Sequence, residues 1–264
     1  MGQDSSSNSS SRSLNWLILL VVGSLAGASV GIVVDQPKVR QHFMLPQELD
    51  EELSKVQNNP PQELADRVRK AGIKNDYENA ALAVGISGAV LCGVIGGLFG
   101  WFRRKTLGLL LGLVVGVILG GALGVGGGIA SKWLETKSPV SAMKDKETEE
   151  LIRAMKMHAA AWGAVGLAAG IAIAVSSRSM KESIENLIVM GIVGGITGAV
   201  FPFLSMIVFK TAKVSRPIPD TTNATIFWIA LAGGIIGLTA GRLAGRSPKQ
   251  PSKAETQPET TSDS

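Results

Sequence analysis

Six long apolar runs divide the chain, and polar segments separate them. The runs cover residues 14–34, 80–102, 106–131, 157–177, 186–209 and 225–244. A helix needs about 20 apolar residues to cross a hydrocarbon core of about 30 Å, and each run meets that length. The centres of the runs contain no Asp, Glu, Lys or Arg. The pattern predicts an all-α fold, a polytopic bundle of six transmembrane helices.

Glycine recurs at every fourth position of the third run. Interior glycine costs about 1 kcal/mol relative to alanine in a water-exposed helix, whereas in lipid small residues let two backbones approach closely. Shorter stripes occur in the other runs, including the sixth. We therefore predict glycine-zipper packing, and the residues expected to pack helix against helix are Gly108, Gly112, Gly116, Gly120, Gly124, Gly128, Gly233, Gly237 and Gly241.

The length of the ladder predicts where the third helix lies. A four-residue repeat drifts about 40° per step around a straight helix. The five steps between the six glycines sweep about 200°, more than half of the circumference, which one straight neighbour cannot cover. We expect the third helix to be central, with at least two partners.

The polar segments differ in character. Residues 1–13 and 245–264 are rich in Ser, Thr or Pro and are predicted to be disordered. Segment 35–79 contains two short amphipathic patterns, the second of which is expected to end at Gly72, because glycine commonly terminates helices. Segment 132–156 contains a helical pattern that leads into the fourth run.

Positive charge predicts the orientation. The second and third runs are joined by Arg103-Arg104-Lys105, a short basic turn expected on the cytoplasmic side. Both termini then also lie in the cytoplasm, segments 35–79 and 132–156 are extracytoplasmic, and the expected location is the plasma (inner) membrane. The first run also resembles a signal peptide, with Ala26-Gly27-Ala28 as a cleavage site, but its apolar residues continue through Val34, which favours an uncleaved anchor.

The composition agrees with a membrane protein and includes few residues that could bind a metal or a cofactor. Charged residues make up 18% of the chain, below the ~25% usual for soluble domains. Most Lys and Arg flank apolar runs, so the formal net charge of +5 indicates contact with the lipid bilayer and not with nucleic acid. The only cysteine is Cys92, and the only histidines are His42 and His158, so we expect neither a metal site nor a cofactor. The glycine stripes allow a homo-oligomer as well as packing within one chain.

One sequence element admits a catalytic interpretation. Gly85-Ile86-Ser87-Gly88 resembles the GxSG motif of the rhomboid intramembrane serine proteases, which are six-helix proteins with a Ser–His dyad. The resemblance covers four residues and implies Ser87 as nucleophile with His158 as its base; in that family, however, the motif lies on the fourth helix, and here it lies on the second.

We expect no catalytic residues. The preferred function is a non-enzymatic structural or assembly component of the membrane. A channel or transporter for small solutes or ions is the first alternative, and a hydrolase using Ser87 and His158 is the second. Ion-driven transporters usually carry an ionisable group at mid-bilayer, and none is present in these runs.

Overall fold

The structure is a computed structural model that describes residues 7–37, 39, 47–56, 61–137, 146–176, 180–209 and 216–245. All regular secondary structure in these ranges is helical. The helices are α1 (Ser7–Val34), α2 (Gln47–Ser54), α3 (Gln62–Arg103), α4 (Thr106–Lys137), α5 (Lys146–Ser176), α6 (Met180–Val208) and α7 (Thr222–Ala244). All of them except α2 are long and apolar enough to cross a membrane. The predicted all-helical class with six such segments is confirmed.

The first helix begins earlier than the sequence suggested. Helix α1 starts at Ser7, inside the segment 1–13 that was expected to be disordered. Residues 1–6 and 246–264, which carry most of the two predicted tails, lie outside the described residues.

Helices α3 and α4 form an antiparallel hairpin. They belong to one helical stretch, Gln62–Lys137, that reverses direction close to Arg103. A Cβ placed at Gly100 would lie against Gly108, and one placed at Gly128 would lie against Ala80. The two helices therefore stay in contact along the whole apolar length. We call the end of the bundle at Arg103 the turn end and the opposite end, where Asp76 and Lys132 lie, the loop end.

Two further helix pairs run antiparallel. Helix α1 packs along α7, with Gly23 beside Gly233 and Gly237 beside Leu19. Helix α5 packs along α6, with Gly166 beside Met190. Helix α5 also lies parallel to α3, which joins the hairpin to the α5–α6 pair.

The expectation that the third apolar helix is central is wrong. In the most apolar 18 residues of α3, 67% are buried, against 28% for α4. Helix α3 contributes Val84, Leu91 and Phe99 to the main buried cluster, to which α4 contributes only partly buried Leu119 and Leu123. The six ladder glycines of α4 face α3, and Gly127 contacts Ala161 and Ala164 of α5, so α4 has the two partners that were expected, but most of its remaining surface is exposed.

The hairpin continues past the apolar runs at the loop end. Helix α3 has 42 residues, which at 1.5 Å per residue gives about 63 Å, twice the thickness of a hydrocarbon core. Its polar residues 62–79 are thus a direct extension of the apolar helix. Gly72 does not end a helix. Helix α3 runs through it without a break, and the polar part of α3 packs against α2.

Candidate functional site

The six glycines of the α4 ladder lie against the backbone of α3 at a constant step. A Cβ at Gly112, Gly116, Gly120, Gly124 or Gly128 would overlap a main-chain atom of α3, and a Cβ at Gly100 of α3 would overlap the main chain of Gly108. The pairs are Gly108–Gly100, Gly112–Gly96, Gly116–Cys92, Gly120–Gly88, Gly124–Val84 and Gly128–Ala80. Both helices advance by four residues from one pair to the next.

This constant step explains why one neighbour covers the whole ladder. A repeat longer than 3.6 residues stays on the contact line only if the two helices coil around each other in the right-handed sense. Small-residue contacts in membranes use such a right-handed crossing. The drift calculated for a straight helix is therefore taken up by the coiling of α3 and α4.

The predicted glycines of α7 face α1. A Cβ at Gly241 would press on the backbone of Trp16, one at Gly237 on Leu19, and one at Gly233 on Gly23. The α5–α6 pair uses the shorter glycine stripes of the fourth and fifth apolar runs. Gly194 and Gly198 of α6 lie against the carbonyl groups of Trp162 and His158.

Two glycines of α4 do not have such contacts. A Cβ at Gly126 would meet no heavy atom within 4 Å, and one at Gly121 would meet only the Cβ of Ala89 at 3.6 Å. Gly126 lies on the exposed side of α4. These two positions provide internal controls, because they share the helix but not the close approach.

Hydroxyl groups inside the apolar segments bond to their own helix. Ser87 Oγ donates to the carbonyl of Ala83 at 2.6 Å, and Thr197 Oγ1 donates to that of Val193 at 2.7 Å. Thr239 Oγ1 similarly donates to the carbonyl of Ile235 at 2.9 Å. This is the usual arrangement for Ser and Thr within helices. These three hydroxyls are therefore hydrogen-bonded within their own helices and do not point along a polar path.

The structure does not bring Ser87 and His158 together as a dyad. Gly88 lies beside Val165 of α5, so Ser87 is level with that part of α5. His158 precedes Val165 by seven residues, about 10 Å along a helix axis. A dyad needs hydrogen-bond contact between hydroxyl and imidazole, and the hydroxyl of Ser87 is donated to Ala83 instead.

His158 lies in a buried aromatic cluster. Its ring makes edge-to-face contacts with Phe201 at 5.1 Å and with Trp228 at 5.5 Å between centroids. Trp228 in turn contacts Trp162 at 5.1 Å. All four side chains are at most 1% exposed. Through these contacts, His158 and Trp228 join α5, α6 and α7 in the interior of the bundle.

A polar cluster occupies the loop end. Lys132 of α4 is 6% exposed, and its Nζ lies 2.8 Å from Asp76 Oδ2 of α3 and 2.6 Å from Glu135 Oε2. Close to this cluster, the hydroxyls of Tyr77 and Thr136 are 3.4 Å apart. At the same end, Asp35 accepts a hydrogen bond from Thr222, which links α1 to α7.

Sequence reasoning missed the Asp76–Lys132 pair, although a signal for it was present. The contacts Gly124–Val84 and Gly128–Ala80 advance by four residues on each helix. One more step from Gly128 and Ala80 gives Lys132 and Asp76. The ion pair is therefore the polar continuation of the glycine register beyond the apolar run.

The turn end has a polar link of its own. Arg103 Nη2 donates to the carbonyl of Leu243, in the last turn of α7, at 3.1 Å. Its guanidinium also lies 5.8 Å from the centre of the Phe99 ring. Cations are favourable at helix C-termini, because the last carbonyls there lack partners within the helix. Arg103 thus ties the α3–α4 turn to α7.

Among the described residues, no group of three or more His, Cys, Asp and Glu side chains is placed to hold a metal ion. No protein-family model, no curated protein and no solved structure matches this chain.

Proposed function

We propose that the chain is a multi-pass integral membrane protein with a non-enzymatic, structural or assembly role. In this proposal six helices cross the bilayer, and glycine-zipper contacts hold them together. The observation that carries it is the register of α3 and α4, in which every fourth residue of one backbone meets every fourth residue of the other. Such contacts are useful in lipid, where dispersion and not water drives helices together.

The arrangement of polar groups supports this role over conduction. Ser87, Thr197 and Thr239 are engaged by carbonyls of their own helices. The buried positions at the level of Cys92 are filled by side chains such as Ile95 and Val165. A permeation path would need water-accessible polar groups through the apolar segments.

The orientation belongs to the same proposal. The basic turn at Arg103 lies in the cytoplasm together with both termini, and the loop end faces the other side of the plasma (inner) membrane. The bilayer is the first partner. A homo-oligomer, if formed, uses surfaces other than the α4 glycines that face α3, since these are occupied within the chain.

Two measurements on the full chain test the proposal. First, the protein should stay with membranes after alkaline carbonate washing, as only a spanning protein does. Second, proteoliposomes containing it should release an entrapped small dye, and take up protons or potassium ions, no faster than protein-free vesicles. Release from the pellet would contradict membrane integration. Flux that requires the protein would contradict the structural role and support the channel alternative.

A further inference from the structure

A small cavity at the loop end has a charged lining. It measures about 70 Å³ and is bordered by Asp76 and Asn79 of α3, Lys132 of α4 and the segment Arg216–Ile218 that precedes α7. Ala80 completes the wall. The cavity lies where three elements meet, so its shape depends on the fold and not on one flexible loop.

The two cations of the lining differ in their partners. Lys132 already holds Asp76 at 2.8 Å and Glu135 at 2.6 Å. Arg216 has no ion pair or hydrogen bond to any other residue in the described ranges. Its side chain is exposed at the mouth of the cavity. A guanidinium offers five donors in a planar fork that suits carboxylate and phosphate oxygens.

The formal charges at and beside the cavity cancel, and this determines how a ligand would bind. Asp76, Glu135, Lys132 and Arg216 together sum to zero, and Glu135 does not border the cavity. An anion would therefore be held by the directed donors of Arg216, supported by Lys132, and not by a general excess of positive charge. Its affinity would depend only modestly on ionic strength.

The depth of the cavity fits an anionic headgroup. Ala80 begins the apolar run of α3, and Asp76 is one turn beyond it. If the helices span the bilayer, as proposed above, the cavity lies at the level of the lipid phosphates.

We propose that this cavity is a binding site for a phosphate group, with Arg216 as its main ligand and Lys132 as a second donor. The phosphate can come from a lipid headgroup or from a soluble phosphate. The chemistry of recognition is the same in both cases, namely charge-assisted hydrogen bonds from a guanidinium and an ammonium to phosphate oxygens.

The test uses the purified full-length protein and its melting temperature followed by tryptophan fluorescence. One arm titrates inorganic phosphate in a neutral detergent, with sodium chloride adjusted to keep the ionic strength constant. The other compares nanodiscs of digalactosyldiacylglycerol, a lipid without phosphate, with nanodiscs that also contain phosphatidylglycerol. Arg216→Gln is the test variant, because the side chain is exposed and its loss should not affect folding. Arg242→Gln, an exposed cation at the turn end, is the matched control.

We expect the melting temperature to rise in at least one arm, since a ligand that binds only the folded state stabilises it. A rise with inorganic phosphate identifies a soluble ligand, and a rise only with phosphatidylglycerol identifies the lipid. Arg216→Gln should raise the half-saturating concentration at least about tenfold, the effect of losing one hydrogen bond to a charged group. Arg242→Gln should leave it unchanged.

Two results would overturn the site. One is no rise in either arm, and the other is an equal loss with Arg242→Gln, which would indicate a general charge effect. The phosphate arm is independent of membrane insertion. A failed site with carbonate-resistant protein therefore refutes this inference alone, whereas carbonate-extractable protein refutes the proposed function.

Discussion

The close approach of α3 and α4 predicts that alanine at neighbouring glycines of α4 will have opposite effects. At Gly120 a Cβ would overlap the carbonyl oxygen of Gly88 and lie 2.8 Å from the Cβ of Cys92. Carbon atoms in favourable contact are about 3.5–4.0 Å apart, so the helices must separate by about 1 Å locally. Overpacking of this kind typically costs about 1–3 kcal/mol.

The controls for this prediction lie on the same helix. Gly121→Ala places its Cβ 3.6 Å from Ala89, an ordinary contact, and Gly126→Ala meets nothing within 4 Å. At such sites alanine is favoured over glycine by up to about 1 kcal/mol through helix propensity. The free energy of unfolding should therefore fall for Gly120→Ala and stay equal or rise for Gly121→Ala and Gly126→Ala.

The assay is reversible unfolding in mixed micelles of dodecyl maltoside and dodecyl sulfate, followed by circular dichroism and tryptophan fluorescence. All three variants and the wild type are compared at the same protein concentration. If Gly120→Ala is as stable as Gly126→Ala, the backbones are not in contact at this position. The reasoning from the α3–α4 register would then be refuted.

Three further outcomes follow from named contacts. Lys132→Met should lower the free energy of unfolding by about 1–3 kcal/mol, because Asp76 loses its partner. Lys74→Met, which removes an exposed ion pair, should change it by less than about 0.5 kcal/mol. Equal effects of the two substitutions in chemical unfolding would contradict the buried position of Lys132. Arg103→Gln should cost about 1 kcal/mol and speed hydrogen exchange at the end of α7, where Leu243 loses a donor; unchanged exchange there would argue against the contact. Helix α1 should be retained in the mature protein, since the glycines of α7 pack on it, and intact-mass spectrometry finding a chain cleaved after Ala28 would disprove this.

The sequence predicted the fold class because that class depends on segment length and apolar composition alone. Six runs of sufficient length became six long helices, and the break between the second and third runs became the turn at Arg103. The position of Gly72 was misread because a glycine terminates a helix only when no tertiary contact continues it. Here residues 62–79 pack against α2 and carry Asp76 to its partner Lys132.

The error about the centre of the bundle has a definite physical cause. The drift of the glycine ladder was calculated for a straight helix, and two coiled helices remove that drift. The six ladder glycines of α4 therefore face α3, and α3 keeps its other faces for α5 and α7. The periodicity of one helix contains no information on which partner coils with it.

The candidate sites were harder to predict, because they depend on contacts between distant segments. The sequence contains no direct sign that Arg216 and Lys132 line the same cavity, since this depends on how the segment before α7 packs on the hairpin. His158 likewise lies at the start of an apolar run, and the run itself gives no sign of an aromatic cluster. It is buried because Phe201 and Trp228 from two other helices close over it.

The antiparallel register of α3 and α4 is the central claim, and an engineered disulfide in native membranes tests it most directly. In a variant with Cys92 replaced by serine, cysteines replace Ala89 of α3 and Gly121 of α4, because a Cβ at Gly121 lies 3.6 Å from the Cβ of Ala89, a separation that suits a disulfide. We expect mild oxidation to link them within one chain, detected as a joined peptide by mass spectrometry after proteolysis. A matched pair at Ala89 and Gly126 should remain unlinked, because a Cβ at Gly126 meets no atom within 4 Å. No link in the first pair, or equal linking in both, would contradict the register on which the account depends.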